Sequence, residues 1–219
     1  MNPLYIYWQP SEVAIHLGSL SVRWYALCWL TGLVLAYLLM KWLYKEHKYS
    51  DEKFDPLFLY VFLGILVGAR LGHCLFYEPH YFLSSGTHIV EMFLPIHFLE
   101  GGGWKFTGFA GLASHGGVAG LLVGLWLYIK RYKMPTWVVL DLMGVVSCIT
   151  ACFIRLGNLM NSEIVGNVTD VPWAFIFAHV DKAPRHPGQL YEAIAYACFF
   201  AIISVSYTHL RAHETVLDL

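Results

Sequence analysis

The sequence predicts an all-α polytopic membrane protein, with five transmembrane helices visible and the N-terminus outside. Three observations carry this. Of 219 residues, 58% are hydrophobic and only 13% charged, about half the charged share of a soluble domain. So few charged groups cannot cover a water-soluble globule. Five apolar stretches, at 22–44, 56–77, 106–129, 137–154 and 188–204, reach or approach the length that crosses a bilayer core, about 20 residues. The basic residues, finally, are distributed unevenly between the loops.

Taken in chain order, residues 1–20 contain no Lys or Arg. They offer no basic start for a cleavable leader, so insertion falls to the first span. Lys41, Lys45, Lys48 and Lys53 cluster around the connection between the first two spans. Lys130, Arg131 and Lys133 lie between the third and fourth, whereas the loops at 78–105 and 155–187 add Lys105, Lys182 and Arg185 beside Arg155 at the end of the fourth span. The positive-inside rule then puts the two basic loops in the cytoplasm and the N-terminus outside. A formal charge of −1, from 14 basic and 15 acidic residues, leaves no basic field for nucleic acid. Cys28, Cys74, Cys148, Cys152 and Cys198 all sit in apolar runs, without disulfide or zinc spacing.

Polar side chains inside spans are costly and mark functional sites by default. With this orientation they fall in the outer half of the membrane. Tyr25 and Arg23 begin the first span; Arg70, His73 and Tyr77 end the second; His115 lies some way into the third, about 13 Å at 1.5 Å per residue. Arg155 and Asn158 end the fourth, and Arg185, His186, Gln189, Tyr191 and Glu192 open the fifth. Arg155, Asn158 and Asn161 step by three, as do Gln189 and Glu192, so each set shares one helix stripe. The expectation is one polar cavity opening toward the outer leaflet. Arg70 has a plainer reading, pairing with Glu78 or a carbonyl to hold the bundle. Arg23 is read as snorkelling to the surface. Trp8, Trp104, Trp137 and Trp173 are read as interfacial aromatics.

Arginine offers a planar fork for phosphate oxygens, and a neutral histidine can take a proton from a nucleophile. In an outer-leaflet cavity the available phosphate is a phospholipid headgroup, which suggests transfer chemistry on a phospholipid.

Five blocks then carry a resemblance. Arg155-Leu156-Gly157-Asn158-Leu159-Met160-Asn161-Ser162-Glu163-Ile164-Val165-Gly166 resembles the signature of the prolipoprotein diacylglyceryl transferases. So do Arg23-Trp24-Tyr25, Gly68-Ala69-Arg70-Leu71-Gly72-His73 with Phe76-Tyr77, Ser114-His115-Gly116-Gly117, and Pro184-Arg185-His186-Pro187 with Gln189-Leu190-Tyr191-Glu192, in the family's order. The resemblance implies transfer of a diacylglyceryl group from phosphatidylglycerol to the lipobox cysteine thiol of a prolipoprotein signal peptide, at the bacterial cytoplasmic membrane. The product is a thioether, glycerol phosphate is released, and no cofactor is needed. It implies Arg155 as phosphate holder and His115 as base, the alternative for His115 being to orient the headgroup. Tyr25, Asn158 and Glu163 would position headgroup hydroxyls, and Gly166 would turn the loop beside them. Asn161, Arg70, Tyr77, His186, Gln189 and Glu192 complete the expected substrate site.

Two departures stand out. Ser162 occupies a position where the family usually has glycine. The family also has about seven spans, with a second essential arginine in a late one, and neither is visible here. Residues 205–215 read VSYTHLRAHET, which resembles a translated sequencing adapter. Residues 1–204 are therefore read as an incomplete transferase domain and 205–219 as a non-native tail, and the polypeptide as written is expected to be inactive. Two other readings are weaker. A lipid transporter or scramblase needs polar groups continuing to the inner side, where spans one, three and four are apolar. A protease dyad of Ser114 with His115 fails because neighbours on a helix point about 100° apart.

Overall fold

The computed structural model describes residues 5–17, 20–99, 101–107 and 111–217. Long helices dominate: α1 (Trp24–Glu46), α2 (Asp51–Gly72, continued by a π-helical turn over His73–Tyr77), α5 (Ser114–Tyr132), α6 (Thr136–Met160) and α7 (Gly188–Leu217). The short helices α3 (Pro79–Phe82) and α4 (Gly86–Phe93) follow α2. Among the described residues seven strands of two to five residues precede α1 or lie between later helices: β1 (Ile6–Trp8), β2 (Val13–Leu17), β3 (Leu20–Arg23), β4 (Ile96–Phe98), β5 (Trp104–Phe106), β6 (Phe175–Phe177) and β7 (Pro184–Arg185). Among the described residues, four helices are long and apolar enough to cross a membrane: Trp24–Glu46, Asp51–Tyr77, Thr136–Met160 and Gly188–Tyr207. Large apolar side chains such as Trp29, Leu30, Leu38 and Trp42 point outward from α1, as a lipid-facing surface requires.

The third expected span differs. Phe106 ends a strand, and the helix begins at Ser114. The reason is local. Gly111 has φ +78°, in the left-handed region that stops a helix, and the Ala113 amide donates to Ala69 O at 2.9 Å. Helix α5 is long enough but is not among the four apolar candidate spans. His115 is therefore the second residue of its helix, not a group well inside a span.

The chain forms two compact units, Met1–Leu43 with Leu140–Leu219, and Tyr44–Val139. In the second, α2 and α5 pack through glycines. A Cβ on Gly68 would lie 2.6 Å from Gly120 Cα and collide with Gly116 O, so only bare backbone fits. At one end of this pair the buried Tyr128 donates to Lys53 O at 2.6 Å, and its hydroxyl also meets that of Tyr44 at 3.1 Å. Toward the opposite end of α2, Ser85 caps α4 by accepting from His88 N.

The hairpin of β4 and β5 hangs on Glu91, a buried carboxylate at 3% exposure. It accepts from Phe98 N at 2.6 Å and from Tyr81 Oη at 2.7 Å, and it meets His97 Nδ1 at 3.3 Å. Burial opposes the charge, but these donors outweigh it and hold the Glu91 pKa below the ordinary carboxylate value. Burial and its bond to that carboxylate push the Tyr81 phenol up to about 12. Because the Glu91 pKa is lowered on folding, its stabilisation is complete above the ordinary carboxylate range and fades as pH falls through the depressed value. The protection of the Phe98 amide and its hairpin partners, relative to the intrinsic exchange rate at each pH, is expected to fall on acidification. In Glu91→Gln that pH dependence is expected to disappear.

In the first unit, β1 pairs parallel with β6, and β6 antiparallel with β7. Leu159, Phe175 and Phe177 form a core with Trp8, Val165 and Leu190 against it. Trp8 Nε1 donates to Leu159 O at 2.9 Å, so the small sheet is tied to the end of α6.

Candidate functional site

Helix α6 ends at Met160, one residue short of the three-step stripe expected for Arg155, Asn158 and Asn161. Asn161 stands in the turn that follows, its amide still donating to Gly157 O at 3.1 Å. Ser162 and Ile164 both have φ +54°. The left-handed value explains why glycine suits position 162, since a side chain there costs roughly 1 kcal/mol. The turn folds Glu163 back, its amide donating to Asn158 O at 3.0 Å.

The Glu163 carboxylate gathers two amides. It accepts from Asn158 Nδ2 at one oxygen and from Asn161 Nδ2 at the other, each at 3.2 Å. From the first turn of α7, Gln189 Nε2 donates to the Glu163 carbonyl. Each of the three amide groups thus donates an N–H to Glu163. Their oxygens, Asn158 Oδ1, Asn161 Oδ1 and Gln189 Oε1, are buried with no hydrogen-bond partner among the described residues, as is Ser162 Oγ. Buried polar atoms left this way are costly unless something meets them. Three of these four can only accept.

Arg155 meets Glu192 of α7 through Nε, 2.5 Å from Glu192 Oε2. Tyr25, in the first turn of α1, packs against Gly157, where a Cβ would lie 2.9 Å from its ring. Gly166 donates to His186 O at 3.0 Å and accepts from Arg185 Nη1 at 3.2 Å, and a Cβ on Gly166 would lie 2.6 Å from that His186 carbonyl. Arg185 grips Asp181 through Nε and Nη2, the latter at 2.5 Å. Their mutual bonds hold the Asp181 carboxyl below its usual range and raise the Arg185 guanidinium further. Tyr191 Oη accepts from Trp173 Nε1 at 2.8 Å and meets His186 Nδ1 at 3.1 Å.

The first unit therefore contains Tyr25, Arg155, Asn158, Asn161, Glu163, Gly166, His186, Gln189 and Glu192, mostly joined by direct contacts. The remaining three expected residues, Arg70, Tyr77 and His115, belong to the second unit. His115 is exposed in the first turn of α5. Tyr77 is 65% exposed and stacks on the His73 ring. The buried Arg70 donates to Glu91 O at 2.9 Å, Met92 O at 3.3 Å and Gly111 O at 3.5 Å, and lies over the Phe82 ring. This geometry matches the plainer of its two sequence readings. Beside it a cleft of 330 Å³ is lined by His73, Glu78, Tyr81, Glu91, His97 and Thr107, among others.

Sequence reasoning missed Asp181, whose signal is its i,i+4 spacing to Arg185, and Glu91, a lone acid in the apolar run Ile89-Val90-Glu91-Met92-Phe93-Leu94. Trp173, read as interfacial, is a donor to Tyr191.

The comparisons agree with one another. A family model described as prolipoprotein diacylglyceryl transferase matches residues 12–217. A phosphatidylglycerol–prolipoprotein diacylglyceryl transferase of Bacteroides fragilis is 54% identical over 204 residues, covering 93% of this chain and 73% of its own length. Proteins with the same name from Tolumonas auensis and Chloroherpeton thalassium are 38% and 40% identical over 211 and 204 residues. They cover 96% and 93% of this chain, and 76% and 70% of their own lengths. Helices fit to cross a membrane, the matched length and these identities give one result: the chain belongs to the prolipoprotein diacylglyceryl transferase family.

Proposed function

We propose that this protein transfers the diacylglyceryl group of phosphatidylglycerol to the lipobox cysteine of prolipoprotein signal peptides, at the outer leaflet of the bacterial cytoplasmic membrane. The cysteine sulfur attacks the glycerol carbon that bears the phosphate ester. A carbon–sulfur bond forms as the carbon–oxygen bond breaks, the thiol proton goes to a base, and glycerol phosphate leaves. A free thiol is mostly protonated at neutral pH, so a base that raises the thiolate fraction speeds attack. His115 takes that role in this reading. Arg155 holds the phosphate and stabilises the charge that grows on it. The basic loops lie in the cytoplasm and the N-terminus outside. Residues 205–219 are read as foreign to the gene, which genomic sequence past the codon for Ser204 decides.

One observation supports the headgroup assignment most strongly. Arg155 meets Glu192 through Nε, and among the described residues its terminal nitrogens donate no hydrogen bond, which leaves them for a phosphate. Close to it in sequence and on α7 stand buried amide oxygens that lack donors. Phosphatidylglycerol supplies both complements, phosphate acceptors for the guanidinium and two glycerol hydroxyl donors for the amides. Phosphatidylethanolamine also offers donors, but on a cationic amine that costs more to desolvate beside neutral buried amides than two hydroxyls do. Native mass spectrometry of the purified protein with equimolar lipids is expected to retain phosphatidylglycerol over phosphatidylethanolamine. The preference is expected to fall in the paired substitution Asn158→Ala, Gln189→Ala. Equal retention of both lipids by the unaltered protein would contradict the assignment.

A further inference from the structure

We infer that Glu192 is a positioning residue, fixing the Arg155 guanidinium through Nε and making no contact with the phospholipid. This rests on the reading of Arg155 as phosphate holder. A guanidinium carries one N–H on Nε and four on its terminal nitrogens. Glu192 Oε2 stands beside Nε as an ion pair, 2.5 Å away. With Nε tied, rotation of the long side chain is restricted, and both terminal nitrogens remain available as a fork. An anion placed at the fork itself would compete with phosphate; an anion at Nε aims the fork without occupying it.

The carboxylate is well placed to do this. Its helix is anchored one turn earlier by Gln189, whose amide holds the Glu163 carbonyl, and beside it Ala193 is buried. Tyr191 is held by Trp173 and His186 on the adjoining face. A stabilising role explains the pair poorly. Its side chains are 26% and 45% exposed, and neither belongs to the buried core beside them. Removing Glu192 therefore leaves a folded protein in which Arg155 is mobile.

The test is steady-state transfer to a lipobox peptide by the gene product as its genome encodes it, in mixed micelles of varied phosphatidylglycerol content. Glu192→Ala is expected to lower kcat about 10- to 100-fold with KM for the lipid little changed, the effect of loosening a reacting geometry. Glu192→Gln keeps an oxygen that accepts from Nε and is expected to recover kcat to within about threefold, an acceptor being what the geometry needs. A raised KM at unchanged kcat in Glu192→Ala would make Glu192 a headgroup ligand and overturn the inference. Loss in Glu192→Gln equal to that in Glu192→Ala, with one limb of the pH–rate profile gone, would make it a proton-transfer group and also overturn it. Absence of transfer by the unaltered protein would instead defeat the proposed function.

Discussion

Arg155→Ala is expected to abolish thioether formation, lowering kcat by at least about 10²-fold, the scale on which removing one donor to developing charge acts. The guanidinium is the group on α6 best suited to an ester phosphate, and Glu192 already holds it from the Nε side. Lysine keeps the charge but not the planar fork, so Arg155→Lys is expected to fall between the two. Neither substitution removes a core contact, since Arg155 stands outside the Leu159, Phe175 and Phe177 cluster. Protein level in the membrane is expected to stay normal. The check is mass spectrometry of the peptide product beside an immunoblot of the membranes; undiminished product from Arg155→Ala would remove the phosphate-holding role.

The second large effect concerns stability. Gly68→Ala is expected to prevent α2 and α5 from packing, because the added carbon would lie 2.6 Å from Gly120 Cα and 2.9 Å from Gly120 N. Both are backbone atoms, which cannot rotate away as a side-chain tip can. The helices must separate, and overpacking of this kind costs about 3 kcal/mol or more. Gly144→Ala makes the same chemical change on α6, where a Cβ meets nothing within 4 Å. It is expected to be neutral or to gain up to about 1 kcal/mol from helix propensity. Thermal unfolding of the two variants in detergent separates the packing effect from any general intolerance of glycine replacement; equal melting temperatures would contradict it.

Four helices were legible because a long apolar run has few alternatives in a membrane. Their ends were less so, and for particular reasons. Helix α2 starts at Asp51, five residues before its apolar run, because Asp51 and Glu52 suit a helix N-terminus. Helix α6 passes Ile154 and continues to Met160; polar Arg155 and Asn158 keep helical geometry there while Leu159 packs into the small sheet. The late start of α5 depends on Gly111 in a left-handed conformation and on an amide bonded to Ala69, and neither leaves a mark in hydropathy.

The site was legible as a set of residue types and spacings. Its wiring was not. Arg155 with Glu192, and Gln189 with Glu163, are pairings across the 161–187 loop, which sequence spacing cannot assign. The left-handed turn at Ser162 gives physical content to a departure that the motif showed only as a changed letter. Arg70 illustrates the opposite case. A charged residue within a span invites a ligand, yet Arg70 donates to three backbone carbonyls.

The most direct test of the transfer reaction is the mass of a lipobox peptide incubated with the gene product in phosphatidylglycerol vesicles. The expected result is a peptide heavier by one diacylglyceryl group on its cysteine sulfur, resistant to hydroxylamine as a thioether is, with glycerol phosphate released in equal amount. An unmodified peptide, with phosphatidylglycerol moved between leaflets and its phosphate ester intact, would contradict it.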